Sequence, residues 1–333
     1  MDPITQGLLG AALPQSVVKK QHFVVAGSLG LLAGMAPDLD VLIRSSRDPL
    51  LFLHFHRQFT HSLFFIPFGS FICALVLHPL LGKKYQLSFK QSWLYCALGF
   101  ATHGLLDACT SYGTQLLWPF SDARYAGNVL PVIAPLFTVP ILILITVGVW
   151  RRSVWLARTA LLWAVLYSTL GLYQKERAEA VGWQIANERQ HEPLRLFAKP
   201  SFANILLWKV VYETDDSFYV DAVRAGQSIK TYPGESTPKL NLTTAFPWLD
   251  LRSQQALDIK RFRLFSNGYL AQDPNDKRKI IDVRYSIVPN RLQALWGIQL
   301  SPTASENAHV GYTTHRDNSP QTRALFIDML QGQ

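Results

Sequence analysis

Three short runs hold the side chains of this sequence that can do chemistry: Asp38-Leu39-Asp40, His56-Arg57-Gln58-Phe59-Thr60-His61-Ser62 and His103-Gly104-Leu105-Leu106-Asp107. Imidazole and carboxylate together form the ligand set of borderline divalent metals. Each run sits at or near the edge of an apolar stretch long enough to be a membrane helix. An ionisable side chain there costs kilocalories unless it has a partner or a function. A bound metal ion would be such a partner for all three runs.

The spacings support that chemistry to different degrees. His103 and Asp107 are four apart and share a helix face, which suits two ligands of one ion, or a ligand histidine with an orienting carboxylate. It equally suits an intrahelical hydrogen-bonded pair. His56 and His61 are five apart and converge only through a bend, with His61 opening a helix and His56 in the loop before it. Thr60 and Ser62 are candidate caps for that helix. Arg57 matches an anionic substrate group such as a phosphate or carboxylate, or a salt bridge to Asp38, Asp40 or Asp48. Asp38 and Asp40 follow Gly34-Met35-Ala36-Pro37, where proline ends regular helix and an extended turn can present both acids. Two such acids repel without a cation, and mixed His and carboxylate ligation suits zinc, manganese or iron better than an all-oxygen calcium cage. His54 is an extra histidine beside the second run. His22, His78, His191, His309 and His315 lack such company.

The elements that must position these residues read as membrane helices. Segments 63–81 and 128–150 contain no Lys, Arg, Asp or Glu, and 91–109 and 153–173 are nearly as apolar. A crossing takes about 20 residues. Two weaker segments, 3–18 and 22–43, are rich in small residues (Gly7, Gly10, Gly27, Gly30, Gly34) and belong inside a bundle, where small side chains let helices approach closely. The expectation is a mainly α, polytopic transmembrane bundle of about six apolar helices over 1–174. Basic clusters at Lys19-Lys20, Lys83-Lys84 with Lys90, and Arg151-Arg152 with Arg158 fall in every second connection, so those loops are cytoplasmic under the positive-inside rule. All three chemical runs then lie at outer helix ends or in outer loops. Trp118-Pro119-Phe120 reads as an interfacial anchor, or a lid over the site.

From 175 to 333 the pattern is that of a small α+β domain, expected outside the cytoplasm. A polar helix covers 174–192. Strand-like runs at Leu206–Glu213 and Phe218–Val223 flank the turn Thr214-Asp215-Asp216-Ser217. A mixed helix near 251–270 precedes strand-like Lys279–Ile287 and Ala294–Leu300, and a looser polar tail ends the chain. Of 32 Lys/Arg and 23 Asp/Glu in 333 residues, 13 and 6 lie before residue 176, leaving 19 and 17 after it. The basic excess therefore belongs to the membrane half, where topology explains it and nucleic acid is not needed. Cys73, Cys96 and Cys109 have no paired metal or disulfide spacing and read as small core residues. Met1-Asp2-Pro3 lacks the basic start of a secretory signal, so insertion is expected to rely on the helices themselves.

Taken together, Asp2-Pro3-Ile4-Thr5-Gln6-Gly7, Gly34-Met35-Ala36-Pro37-Asp38-Leu39-Asp40, the His56 to Ser62 run, His103 to Asp107, Tyr112-Gly113 and Leu117-Trp118-Pro119-Phe120 resemble the YdjM-like family over about residues 1–150. That family is described as bacterial inner-membrane, metal-dependent hydrolases. The resemblance implies a divalent-metal hydrolase with ligands drawn from Asp38, Asp40, His56, His61, His103 and Asp107; some relatives carry histidine where this chain has Gln6. The reading is a multi-pass inner-membrane enzyme acting on a phosphoester or lipid-linked substrate at the outer face. Asp38 or Asp40 serves as ligand or general base, and Arg57 holds the anion. Membrane lipids are its expected partners. A non-catalytic metal sensor or assembly factor is the alternative. An ion-coupled transporter fits less well, because the ionisable residues cluster at helix ends and no internal repeat is visible.

Overall fold

The computed structural model describes all 333 residues, Met1–Gln333, in two compact units. The first comprises Met1–Ile43, Phe55–Leu172 and Phe202–Asn204; the second comprises Arg44–His54, Tyr173–Ser201 and Ile205–Gln333. The helices in chain order are α1 (Pro3–Gln15), α2 (Phe23–Met35), α3 (Leu51–Phe55), α4 (Ile66–Leu77), α5 (Phe89–Ala108), α6 (Pro135–Arg151), α7 (Val154–Glu188), α8 (Leu242–Ala245), α9 (Gln254–Phe265) and α10 (Pro320–Gln331).

Glycine decides how the first unit packs. A Cβ on Gly30 would lie 2.1 Å from the Gly10 carbonyl oxygen, and one on Gly99 would lie 2.2 Å from that of Gly30. Helices α1, α2 and α5 therefore meet backbone to backbone, which the small residues of the first two segments predict. Asp2 starts α1 by accepting from Thr5 N at 3.0 Å, with Pro3 in the first turn. Ser88 and Gln91 form a capping box that starts α5. After α2 the chain tightens into a 3-10 stretch, Ala36–Leu42, in which Pro37 lacks the N–H that regular helix requires.

Six apolar crossings are more than these helices provide. Three stretches are long and apolar enough to cross a membrane: Lys20–Leu42, Leu63–Tyr85 and Val154–Glu188. Helix α1 has 13 residues and α6 has 17, both shorter than a bilayer crossing, and α5 carries Ser92, Thr102, His103 and Asp107, which lower its hydropathy. The stretch Leu63–Tyr85 leaves Phe64, Phe68, Ile72, Leu75 and Val76 exposed along its length. A continuous uncovered apolar surface of this kind is the face a lipid-contacting helix presents.

The second unit is built on antiparallel sheets. In the first sheet β1 (Arg195–Pro200), β2 (Leu207–Glu213), β3 (Ser217–Ala225) and β4 (Ile229–Tyr232) lie in that order, and β5 (Ser236–Pro238) also pairs with β3. The second sheet runs β6 (Leu270–Gln272), β7 (Lys279–Asp282), β8 (Trp296–Gln299), β9 (Gly311–Thr314). The predicted turn between the two longest strands closes with Thr214 N donating to Ser217 O at 2.9 Å. Leu50 and Leu53 join Phe246, Ile259, Phe262, Ile280 and Ile298 in one core, and Asp48 takes both Nη groups of Arg261. The tail expected to be loose instead folds as α10, capped by Ser319, with Met329 buried beside Leu207 and Ala222.

Candidate metal centre

The end of α2 and the 3-10 stretch after it, the turn at His61 and the C-terminal turns of α5 meet within the first unit. Asp38, His61, His103 and Asp107 each offer one ligand atom there, all within 4.8 Å of one another. His61 Nε2 lies 3.5 Å from Asp38 Oδ1 and 3.4 Å from Asp107 Oδ2, while His103 Nε2 lies 3.4 Å and 4.0 Å from the same two oxygens. The two Nε2 atoms are 2.9 Å apart. Ligand atoms at about 2.0–2.1 Å from a tetrahedral ion are about 3.3–3.4 Å from each other; the three edges of 3.4–3.5 Å match a zinc-sized site, while the His61–His103 edge is shorter and the His103–Asp107 edge longer.

The surrounding hydrogen bonds aim both imidazoles at that point. His103 Nδ1 donates to the Gly34 carbonyl at 2.6 Å, leaving Nε2 to face the cluster. His61 Nδ1 lies 2.9 Å from Thr60 Oγ1 and 3.3 Å from Asp40 Oδ2, and Thr60 Oγ1 in turn donates to Asp40 Oδ2 at 2.7 Å. Such outer partners fix the tautomer of a metal-ligating histidine. Asp107 Oδ1 accepts from Gln6 Nε2 at 2.8 Å and pairs with the Met1 amine, whereas buried Oδ2 has no hydrogen bond. That oxygen, with Arg57 Nε at 3.1 Å on one side and two converging imidazoles on the other, is where a cation would add a ligand bond. His61 reports the same demand. Burial opposes its positive charge, yet hydrogen bonds to Asp107, Asp38 and Asp40 push its pKa up to about 10.

The remaining predicted residues stand around this group of four. Asp40 is part of the support and lies outside the four-atom cluster: its oxygens accept from Arg57 N at 3.1 Å, from Thr60 and from His56 Nδ1 at 2.7 Å. The 3-10 turn puts Asp38 toward the cluster and Asp40 behind His61. His56 therefore reaches the site only through Asp40. Arg57, 4% exposed, does not extend to solvent as a substrate clamp would: Nε lies 3.1 Å from Asp107 Oδ2, Nη1 donates to Thr110 Oγ1 at 2.9 Å, and the guanidinium covers Tyr112. Its left-handed φ of 64° turns its N–H to Asp40. Ser62 caps the next turn by accepting from Phe65 N, as expected, while Thr60 serves the site. His54 belongs to the second unit and is exposed.

Several contributors are not evident as chemical residues in the sequence. Gln6 and Thr110 hold Asp107, since Thr110 Oγ1 donates to its carbonyl at 2.7 Å. Gly104 admits the His61 turn, because a Cβ there would sit 2.2 Å from the His61 carbonyl oxygen. The glycine directly after His103 was the available signal. In the second unit Asp48, Asp258 and His309 also converge, but Arg261 already supplies their positive charge through hydrogen bonds of 2.9–3.1 Å.

Compared with known proteins, the chain matches the family model described as YdjM inner membrane protein over residues 1–178. It is 31% identical over 99 residues to "Inner membrane protein YbcI" of Escherichia coli (strain K12), covering 29% of this chain and 54% of that protein. It is also 31% identical over 108 residues to "Uncharacterized protein YfhP" of Bacillus subtilis (strain 168), covering 32% of each. The matched regions thus take in about half of the first relative and about a third of the second. No solved structure matches the chain.

Proposed function

This chain belongs to the YdjM inner membrane protein family, and from that premise we propose that it is a membrane-bound, metal-dependent hydrolase. One observation carries the reading: two imidazoles with Nε2 atoms 2.9 Å apart and their Nδ1 atoms engaged elsewhere converge with Asp38 Oδ1 and buried Asp107 Oδ2 on one point. Asp38, His61, His103 and Asp107 would hold the ion. Zinc comes first by ligand type, with manganese or iron as alternatives. Such an ion, when bound, makes water acidic and polarises a scissile group.

The chain's other residues then have separable tasks. Asp40 holds His61 from behind and orients His56, whose side chain is one-third exposed. That Asp–His pair is suited to take a proton from a nucleophile and return one to a leaving group. Arg57 and Gln6 keep Asp107 in place. The substrate of this reading is a phosphoester or lipid-linked substrate at the outer membrane face; that Asp38 and His61 adjoin the ends of two apolar stretches supports access from a membrane surface.

One feature favours the non-catalytic alternative, a metal sensor or assembly factor. Four protein ligands make a closed structural site, whereas catalytic zinc keeps a position open. Asp38 is the ligand with side-chain exposure, at 19%, so the catalytic reading requires it to yield its place to substrate or water. The test is to purify the protein in detergent, measure bound metal, and assay aryl and lipid phosphoesters with and without a chelator. His103→Ala and Asp107→Ala should lose both metal and hydrolysis. Metal without hydrolysis would transfer the assignment to the sensor, and a wild-type protein that binds no metal would end both.

A further inference from the structure

Two connections of the first unit, 16–22 between α1 and α2 and 152–153 between α6 and α7, gather cations with no acid among them. Lys19 and Lys20 belong to the first, Arg151 and Arg152 stand at the second, and Arg158 follows in the second turn of α7. The two connections meet: Arg158 Nε donates to the Ser16 carbonyl at 3.0 Å, and a Cβ on Gly148, in the last turn of α6, would lie 3.5 Å from Leu156 and 3.6 Å from Phe23, the first residue of α2. Residues 3–37 and 123–175 contain neither Asp nor Glu. No carboxylate pairs with any of the five cations.

Arg158 is the costly member of this group. It stands on the exposed face of α7 that also carries Trp155, Leu162 and Leu166, three before, four after and eight after it, within a stretch long and apolar enough to cross a membrane. An arginine on a lipid-facing surface needs a partner for its charge and for its N–H groups. Its Nε–H goes to Ser16, and the guanidinium carbon lies 4.9 Å from the Trp155 ring centroid, while its Nη groups have no partner in the protein. Trp150 and Trp155, 80% and 72% exposed, flank the basic connection, and Arg151 lies over Trp150 at 5.7 Å. Tryptophan exposed at the ends of apolar helices belongs at headgroup level. Phosphate is the anion found at that depth, and its oxygens match a guanidinium fork.

We propose that this end of the first unit is a binding site for an anionic phospholipid, with the phosphodiester on Arg158, with Lys19, Lys20, Arg151 and Arg152 around the headgroup, and with an acyl chain along Leu162 and Leu166. Basic pockets between membrane helices take anionic headgroups in this way. A zwitterionic lipid brings an ammonium group to the same place, where five uncompensated cations repel it, so the site selects phosphatidylglycerol over phosphatidylcholine. None of these residues belongs to the metal cluster, and lipid binding here depends on neither metal nor hydrolysis.

The test titrates the full chain, delipidated in a non-ionic detergent, with phosphatidylglycerol and with phosphatidylcholine of the same acyl chains, and counts bound lipid by native mass spectrometry. Phosphatidylglycerol should bind at least about 10-fold more tightly. Arg152→Gln combined with Arg158→Gln should abolish that preference, whereas Lys83→Gln combined with Lys84→Gln, an equal loss of charge at another basic connection, should leave it in place. Should the arginine variant fail to fold, Lys19→Gln combined with Lys20→Gln, at two exposed side chains, should cut the preference at least about threefold. Equal affinity of the wild-type protein for the two lipids overturns the proposal. So does an equal loss in the Lys83 and Lys84 variant, which reduces the effect to net charge. Glycerol 3-phosphate at the lipid's concentration should not displace it, and displacement would overturn the lipid assignment in favour of a soluble phosphate.

Discussion

Asp38 and Asp40 are two residues apart in one 3-10 turn, and they do different work. Asp38 Oδ1 faces both imidazoles, whereas Asp40 accepts from Thr60, His56 and the Arg57 N–H and supports His61 from the other side. Loss of a ligand and loss of a ligand's support differ in size, since removal of an outer partner costs roughly 10–100-fold in metal affinity. Asp40→Asn should therefore weaken zinc binding by about that factor, and Asp38→Asn should weaken it more. Competition against a fluorescent zinc chelator measures both. Equal losses in the two variants would mean that both acids are ligands, and that the separation seen here does not survive metal binding. The sequence shows that an Asp-x-Asp group stands near the histidines. It does not show which acid faces them, because that depends on the tight turn after Pro37, and an extended turn presents the two acids differently. Arg57 illustrates the same limit: its charge suggests an anion, but its left-handed backbone and its packing on Tyr112 arise only in the folded chain.

At the level of elements, the site depends on how closely three helices can approach. His103 is one turn beyond Gly99, and its Nδ1 bond to the Gly34 carbonyl exists only while α5 lies against α2. A Cβ on Gly99 meets Gly30 backbone at 2.2 Å and 2.5 Å, and backbone cannot swing aside as a side chain can. Gly99→Ala should therefore destabilise the first unit by about 1–3 kcal/mol and weaken metal binding with it. Gly148→Ala is the control, because its new Cβ would find nothing nearer than 3.5 Å. Thermal melts of both variants in one detergent make the comparison, and equal melting temperatures would show that the close contact is dispensable. The glycines were legible as packing residues because they recur through two apolar segments. Helix length was less legible: hydropathy runs through Gln15 to Val18 and across Pro131 and Pro135, while α1 stops at Gln15 and α6 begins only at Pro135. In the second unit the two strand-like runs around Thr214–Ser217 are found as β2 and β3, but β4, β5 and β9, of three or four residues each, are too short to produce a period.

For the whole molecule, charge and the metal cluster constrain topology together. Lys19-Lys20 adjoin the start of Lys20–Leu42, Lys83-Lys84 lie at the end of Leu63–Tyr85, and Arg151-Arg152 precede Val154–Glu188. If these basic ends are cytoplasmic, the first stretch leads outward, the second returns and the third leads outward again. Helices α5 and α6 lie between the second and third stretches, and both must cross or neither can. His103 and Asp107, near the C-terminal end of α5, meet Asp38 and His61; under that same condition the four stand at the outer ends of the first two stretches, and α5 would have to cross as well. Its 20 residues span about 30 Å, the thickness of the hydrocarbon core, and close glycine contact with α2 would help shelter its polar side chains from lipid. Helix α6 would then bring the chain back, with flanking residues completing a crossing its 17 residues fall slightly short of. With the basic ends cytoplasmic, α7 starts inside, so everything after it is predicted to lie outside the cytoplasm. Alkaline phosphatase fused after Gln333 should be active and green fluorescent protein at the same site dark. The reverse pattern would place the basic clusters outside, against the charge rule, and would move the metal cluster and its substrate to the cytoplasmic face.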